Sequence, residues 1–149
     1  MMNEGAALAE ILETVRPPAE LADRPYLRAT YDEPEFIVHA IWRRYGGWWD
    51  GDPASVKPAP ARRLADEIVA LAGGTDPVLA RVADLVEIGD DESLRVAGHL
   101  MESVWRVARG PAEAQLRERL YATRAARASS TMARGVFSGA ARESIPDDH

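Results

Sequence analysis

Proline and glycine cut this chain into short lengths. Pro17-Pro18, Gly46-Gly47, the run from Trp48 to Pro60, Gly73-Gly74, Gly89 and Gly110-Pro111 interrupt it at short intervals. Proline removes an amide donor and glycine ends helices at little steric cost, so each segment must complete its structure within a few turns. Between the stops, apolar residues recur at three and four positions, sustained β-branched alternation is absent, and alanine and arginine dominate the second half. That pattern is helical. The chain is expected to be all-α, a bundle of antiparallel helices.

Segment by segment, residues 4–14 form a first helix ended by the proline pair, "PPAEL" starts a single turn, and "YLRATYDEP" is an extended connector. Asp32 is a good N-cap and Pro34 suits a first turn, which predicts a helix over residues 33–45 stopped by Gly46-Gly47. Residues 48–60, with three prolines and a glycine, form a hinge. Beyond it, Leu64, Ile68 and Leu71 define one stripe. Val78, Val82, Leu85 and Val86 define a second. A helix over residues 92–108, opened by Asp90 or Asp91, carries Leu94, Ala97, Met101, Val104, Trp105 and Ala108 inward. From Pro77 to Pro111 the pair repeats at tetratricopeptide length, which predicts a tetratricopeptide-like hairpin rather than an array. In the last stretch Tyr121, Ala125, Ala128 and Met132 share a face, Leu116 and Leu120 lie beside it, and Ser129-Ser130 marks a cap or break. One domain over residues 1–149 accommodates all of this: N-terminal helices (1–47), hinge (48–60), helical hairpins (61–142) and a flexible tail (143–149).

Composition narrows the function. With 149 residues the chain builds a core without staples, and having no cysteine it has no disulfide or thiol chemistry. No apolar run reaches the roughly 18–20 residues that cross a bilayer, and the opening segment is acidic, so a cytoplasmic location is expected. A formal charge of −6 disfavours nucleic acid and anionic membrane as partners. The charge is uneven: residues 103–142 hold eight arginines against Glu113 and Glu118, which predicts complementarity within the chain or between subunits.

Chemistry-bearing constellations are few. Glu35, His39 and Arg43 stand one turn apart beside Trp42, an arrangement that suits acid–base or anion-binding work but more commonly is a solvated charge ladder. His99, with Arg95, Glu102 and Arg106, lies opposite an apolar stripe, and His149 falls in the tail. No histidine pair has metal-ligand spacing, and the glycine pairs lack the G-K-S/T ending of a phosphate loop, so no catalytic residue, metal or cofactor is expected. The aromatic cluster is different. Tyr45, Trp48 and Trp49 each carry about 150–250 Å² of mainly apolar surface, too much for a free loop. Three uses are open: a core anchor for the hinge, a subunit or domain interface, and a ligand cage.

"YDEPEFIVHAIWRRYGGWWDGDPASVKPAP" resembles the central segment of alkyl sulfatase-like hydrolases of the metallo-β-lactamase superfamily, in which a "YxGWxDGNPA" element opens an all-helical dimerisation region. "MNEG", "PPAEL", "LAGG", "GD" and "MARGVF" agree with it. Tyr45, Gly47, Trp48, Asp50, Gly51, Pro53 and Ala54 match the element, and Asp52 stands where asparagine is usual. The zinc-binding H-x-H-x-D-H motif and the sterol-carrier-like domain of such hydrolases are absent from this sequence. The resemblance implies a homodimerisation module without its hydrolase, not an enzyme on its own, whose partners are a second copy and a metallo-β-lactamase-type catalytic domain. Phe36, Ile37, Ile41, Trp42, Trp48 and Trp49 are its expected contact. The alternative is a tetratricopeptide-like adaptor holding a protein or peptide; an enzyme built on Glu35, His39 and Arg43 comes third.

Overall fold

The computed structural model describes residues 1–22 and 24–145. Among them are eight α-helices, three short 3-10 turns and no strand. The helices are α1 (Leu8–Thr14), α2 (Ala19–Ala22), α3 (Pro34–Tyr45), α4 (Ala61–Leu71), α5 (Thr75–Ile88), α6 (Asp91–Val107), α7 (Pro111–Arg127) and α8 (Thr131–Ser144). The chain falls into two compact units: residues 1–58 with 129–132, and residues 59–128 with 133–149.

In the first unit α1 packs on α3. Pro34 opens α3, but its N-cap is Glu33 rather than Asp32, whose carboxylate accepts the Glu33 amide at 2.9 Å just outside the helix. The unit is completed from far along the chain. The Thr131 amide donates to the Thr30 carbonyl at 2.8 Å, the Met132 amide to that of Tyr31 at 3.2 Å, and the fully buried Ser130 hydroxyl to Glu33 Oε1 at 2.7 Å. Ser130 is thus where the chain docks, which explains the serine pair read as a cap or break.

The second unit owns the core. Val69 of α4, Val78, Val82, Leu85 and Val86 of α5, Leu94, Ala97, Met101 and Val104 of α6, and Leu120 of α7 form one buried cluster. Asp90 caps α6 by accepting the Ser93 amide at 2.7 Å, and this contact, with the Ser93 hydroxyl, holds its carboxyl below the usual range. α5 and α6 pack directly on each other across the Gly89-Asp90 turn.

One stripe is rotated from expectation. α4 buries Ala65 and Val69 and half-buries Ile68, while Leu64 and Leu71 of the expected stripe face outward. Leu71 is 88% exposed and Leu64 54%. The small Ala65 lets α4 lie close to α6, and the bulky leucines stand outside. The end of the chain differs as well: Ala128 is extended, so α7 stops and Met132 leaves the face of Tyr121 and Ala125. α8 continues through Ser144, which is buried, so the expected tail cannot begin at residue 143. His149 and the last three residues before it lie outside the described residues.

A buried cation holds this end together. Arg117 Nε donates to Glu102 Oε1 at 2.8 Å, and its Nη1 donates to the Ala140 carbonyl and to Ser144 Oγ, each at 2.8 Å. The guanidinium sits 5.0 Å from the ring centres of both Trp105 and Tyr121. Glu102 also accepts the Tyr121 hydroxyl at 2.9 Å. Burial first, and the Glu102 charge second, push the Tyr121 phenol up to about 12.

Two outcomes follow. Arg117→Ala strands Glu102 and the last turn of α8 and is expected to cost about 3 kcal/mol, as does Met101→Ala through its cavity, both read by urea denaturation. Because folding raises the Tyr121 pKa above its ordinary 10.0, the stability it lends is intact below pH 10.0 and lost as pH climbs through about 12. Tyr121→Phe should flatten that decline.

Candidate functional site

The turn after α3 is held by its own backbone and carboxylates. Gly46 closes the helix, and an added Cβ there would lie 3.2 Å from the Trp42 ring, so the glycine lets that indole fold under the turn. Trp42 Nε1 donates to the Trp49 carbonyl at 2.9 Å and Trp49 Nε1 to the Asp52 carbonyl at 3.3 Å. Asp50 Oδ1 accepts the Asp52 amide at 2.9 Å; that bond, then one from the Ser55 side chain, keeps its carboxyl below the usual range. Asp52 Oδ1 accepts the Ala54 amide at 2.9 Å and caps the 3-10 turn Pro53–Val56, in which Pro53 takes the first position.

The turn then grips α1. The Leu8 amide donates to the Asp50 carbonyl at 2.9 Å. Gly51 adopts φ 97° and passes so close that a Cβ there would meet Ala7 Cβ at 2.9 Å and Ala7 Cα at 3.0 Å. Asp50, Gly51, Pro53 and Ala54 therefore build the joint. Asparagine at position 52 would present the same capping oxygen, so aspartate there leaves the turn chemistry intact.

Other members of the cluster face outward. Trp48 is 77% exposed, Tyr45 71% and Trp49 47%, so within one copy they do not anchor the hinge in a core. Ile37 and Ile41, each 50% exposed, align with Tyr45 along α3, whereas Phe36 and Trp42 are half-buried. No residue of α3 is buried. His39 and Arg43 are exposed and, with Arg44, Trp48 and Leu8, line an open groove; Glu35 is half-buried. His99 is exposed on α6. Among the described residues there is no group of three His, Asp or Glu that could hold a metal, and no helix long and apolar enough to cross a membrane. What sequence reasoning missed is the outward apolar stripe of α4, because periodicity identifies a stripe without saying which neighbour covers it.

Residues 7–145 match the family model described as alkyl sulfatase dimerisation. The chain belongs to the alkyl sulfatase dimerisation family. Among similar proteins, a linear primary-alkylsulfatase from a Pseudomonas is 39% identical over 90 residues, covering 60% of this chain and 17% of that protein. An alkyl/aryl-sulfatase of Saccharomyces cerevisiae is 36% identical over 81 residues, covering 54% and 12%. The chain thus spans less than a fifth of the length of these relatives. A stereoselective inverting sec-alkylsulfatase of Pseudomonas superposes with a TM-score of 0.82 at 28% identity, over 98% of this chain and 23% of the solved one.

The joint has a direct readout. Gly51→Ala forces a side chain into the left-handed region and against Ala7, at an expected cost of about 1–3 kcal/mol. The Leu8 amide should then lose hydrogen-exchange protection while α5 and α6 keep theirs; equal loss in both places would contradict a local role.

Proposed function

We propose that this chain is the homodimerising portion of an alkyl sulfatase-like metallo-hydrolase, its two units working as one dimerisation domain. The observation that carries the reading is the poverty of the first unit. Ile11 and Ser130 are the buried residues among its described positions. An apolar helix and the two tryptophans of the turn, Trp48 and Trp49, therefore lack cover within a single copy. Stable subunit contacts bury upwards of about 2,000 Å² and are richest in aromatics at their centre. Phe36, Ile37, Ile41, Trp42, Trp48 and Trp49 form the contact we assign to the second copy. A two-fold pairing places each α3 against the same surface of its partner.

In this reading the dimer positions two catalytic domains of metallo-β-lactamase type in the cytoplasm and walls part of their substrate cleft. The chain's own contribution is surface burial rather than bond chemistry. Light scattering is expected to give twice the chain mass at micromolar concentration. Ile37→Asp with Ile41→Asp should give a folded monomer, since a charge desolvated at each position opposes association. A wild-type monomer would end the proposal; a double variant that remains a dimer would move the contact off α3.

A further inference from the structure

Two aspartates of this chain stand directly before a proline: Asp52 before Pro53, and Asp76 before Pro77. Such a bond carries its own reactive pair. The aspartyl carboxyl group can close on the neighbouring carbonyl, and the tertiary amide of proline, which has no N–H, offers a basic nitrogen as leaving group.

The structure treats the two bonds differently. Asp76 and Pro77 lie in the first turn of α5, and among the described residues the Asp76 side chain accepts no hydrogen bond. Asp52 and Pro53 lie in an exposed turn. Asp52 Oδ1 accepts the Ala54 amide at 2.9 Å, which folds the carboxyl group forward over its own peptide bond. The carbonyl oxygen of that bond accepts the Ser55 amide at 3.0 Å and Trp49 Nε1 at 3.3 Å. Two donors polarise the carbonyl carbon, and both are in place for the negative oxygen of a tetrahedral intermediate. Nucleophile and carbonyl are thus held together in advance. Water reaches them from a hollow of about 490 Å³ to which α1 contributes only the apolar Leu8, Ala9 and Leu12. Asp50 is the other titratable group lining it; the Asp52 amide bonded to its carboxyl keeps that group below the usual range. The proton available to the reaction is therefore that of Asp52 itself.

We propose that Asp52–Pro53 is a self-cleaving bond, opened in mild acid by the Asp52 carboxyl group. A carboxyl oxygen adds to the Asp52 carbonyl carbon, and the C–N bond to Pro53 breaks. The electron pair leaves with the proline nitrogen, which takes the proton of the Asp52 acid, and the two carbonyl groups of Asp52 close a five-membered cyclic anhydride. One water opens the anhydride to two carboxyl groups at the new chain end. Water alone is consumed. The α1–α3 piece then keeps the hydrogen bonds that Thr30, Tyr31 and Glu33 make to residues 130–132, so acid replaces a covalent tie within the first unit by a non-covalent one.

The test is intact-mass spectrometry of the full chain, held at the lowest pH that leaves its helicity intact by circular dichroism. Fragments 1–52 and 53–149, whose masses sum to the chain plus one water, are expected about tenfold faster than any cut at Asp76–Pro77, the gain from held geometry. The rate should fall as pH rises through the carboxylate range. It should not change with chain concentration, so it reads the same in a monomer or a dimer and stands apart from the assigned subunit contact. Asp52→Asn keeps the capping oxygen but has no acid proton, and should stay whole. Trp49→Phe should slow the cut about fivefold with helicity unchanged, because one carbonyl donor is gone. In urea at the same pH the two aspartyl–prolyl bonds should break at equal rates. Equal rates in the folded chain, or a folded chain cut more slowly at Asp52 than the unfolded one, would overturn the proposal by showing that the turn protects the bond.

Discussion

The structure turns on an imbalance of burial. α3 carries a phenylalanine, two isoleucines, a tryptophan and a tyrosine, yet none of its residues is buried. Hydrophobic surface left in water forfeits about 25 cal/mol per Å², so a helix like this persists only where something else covers it. The turn that follows reinforces the point. Its carboxylates and indole donors are bonded to the turn itself, which fixes the outward aim of Trp48 instead of leaving a floppy loop to collapse over the apolar stripe. Rigidity presents this surface, and preorganised aromatics are what strong protein contacts use.

The second unit answers the opposite need. Its core is continuous through four helices and its charges largely cancel inside the chain. Arg117 finds Glu102, Arg119 finds Glu87 and Arg127 finds Asp91, joining the arginine-rich α7 to the acids of α5 and α6. Arg124 lies 4.2 Å from the Phe137 ring centre and reaches so close to Gly98 that an alanine Cβ there would sit 2.7 Å from its Nη1. The exposed pairs contribute little each, whereas Arg117, with three hydrogen bonds and two aromatic faces, fixes where α8 lies.

Much of this was legible. Glycine and proline punctuation placed the ends of α3 and α6 to within a residue, whereas the first helix begins at Leu8 rather than at residue 4. The α5 stripe was read correctly, and the α6 stripe holds for Leu94, Ala97, Met101 and Val104, while Trp105 is half-buried and Ala108 lies extended beyond the helix end. α4 was misread for a physical reason: it has two apolar sectors, Ala65 with Val69 and Leu64 with Leu71, and periodicity favours the bulkier one while close packing chose the smaller. The asymmetry of charge was visible, but not that Arg117 would be buried, because composition records no distances. In the aromatic turn the motif was legible as a motif. Which of its members build the joint and which face outward depended on hydrogen bonds between Asp50, Asp52 and the α1 backbone that spacing does not encode.

The pairing of residues 30–33 with residues 130–132 has a consequence for synthesis. Partners separated by about a hundred positions, as Ser130 is from Glu33, meet late. A nascent chain emerging amino end first presents residues 30–33 long before the ribosome delivers the segment that pairs with them, and contacts so distant along the chain form slowly. The α5–α6 hairpin, by contrast, is complete as soon as it is translated. The first unit therefore stays incomplete until Ser130 arrives, and that interval is when chaperones, or another nascent chain on the same message, have their opening.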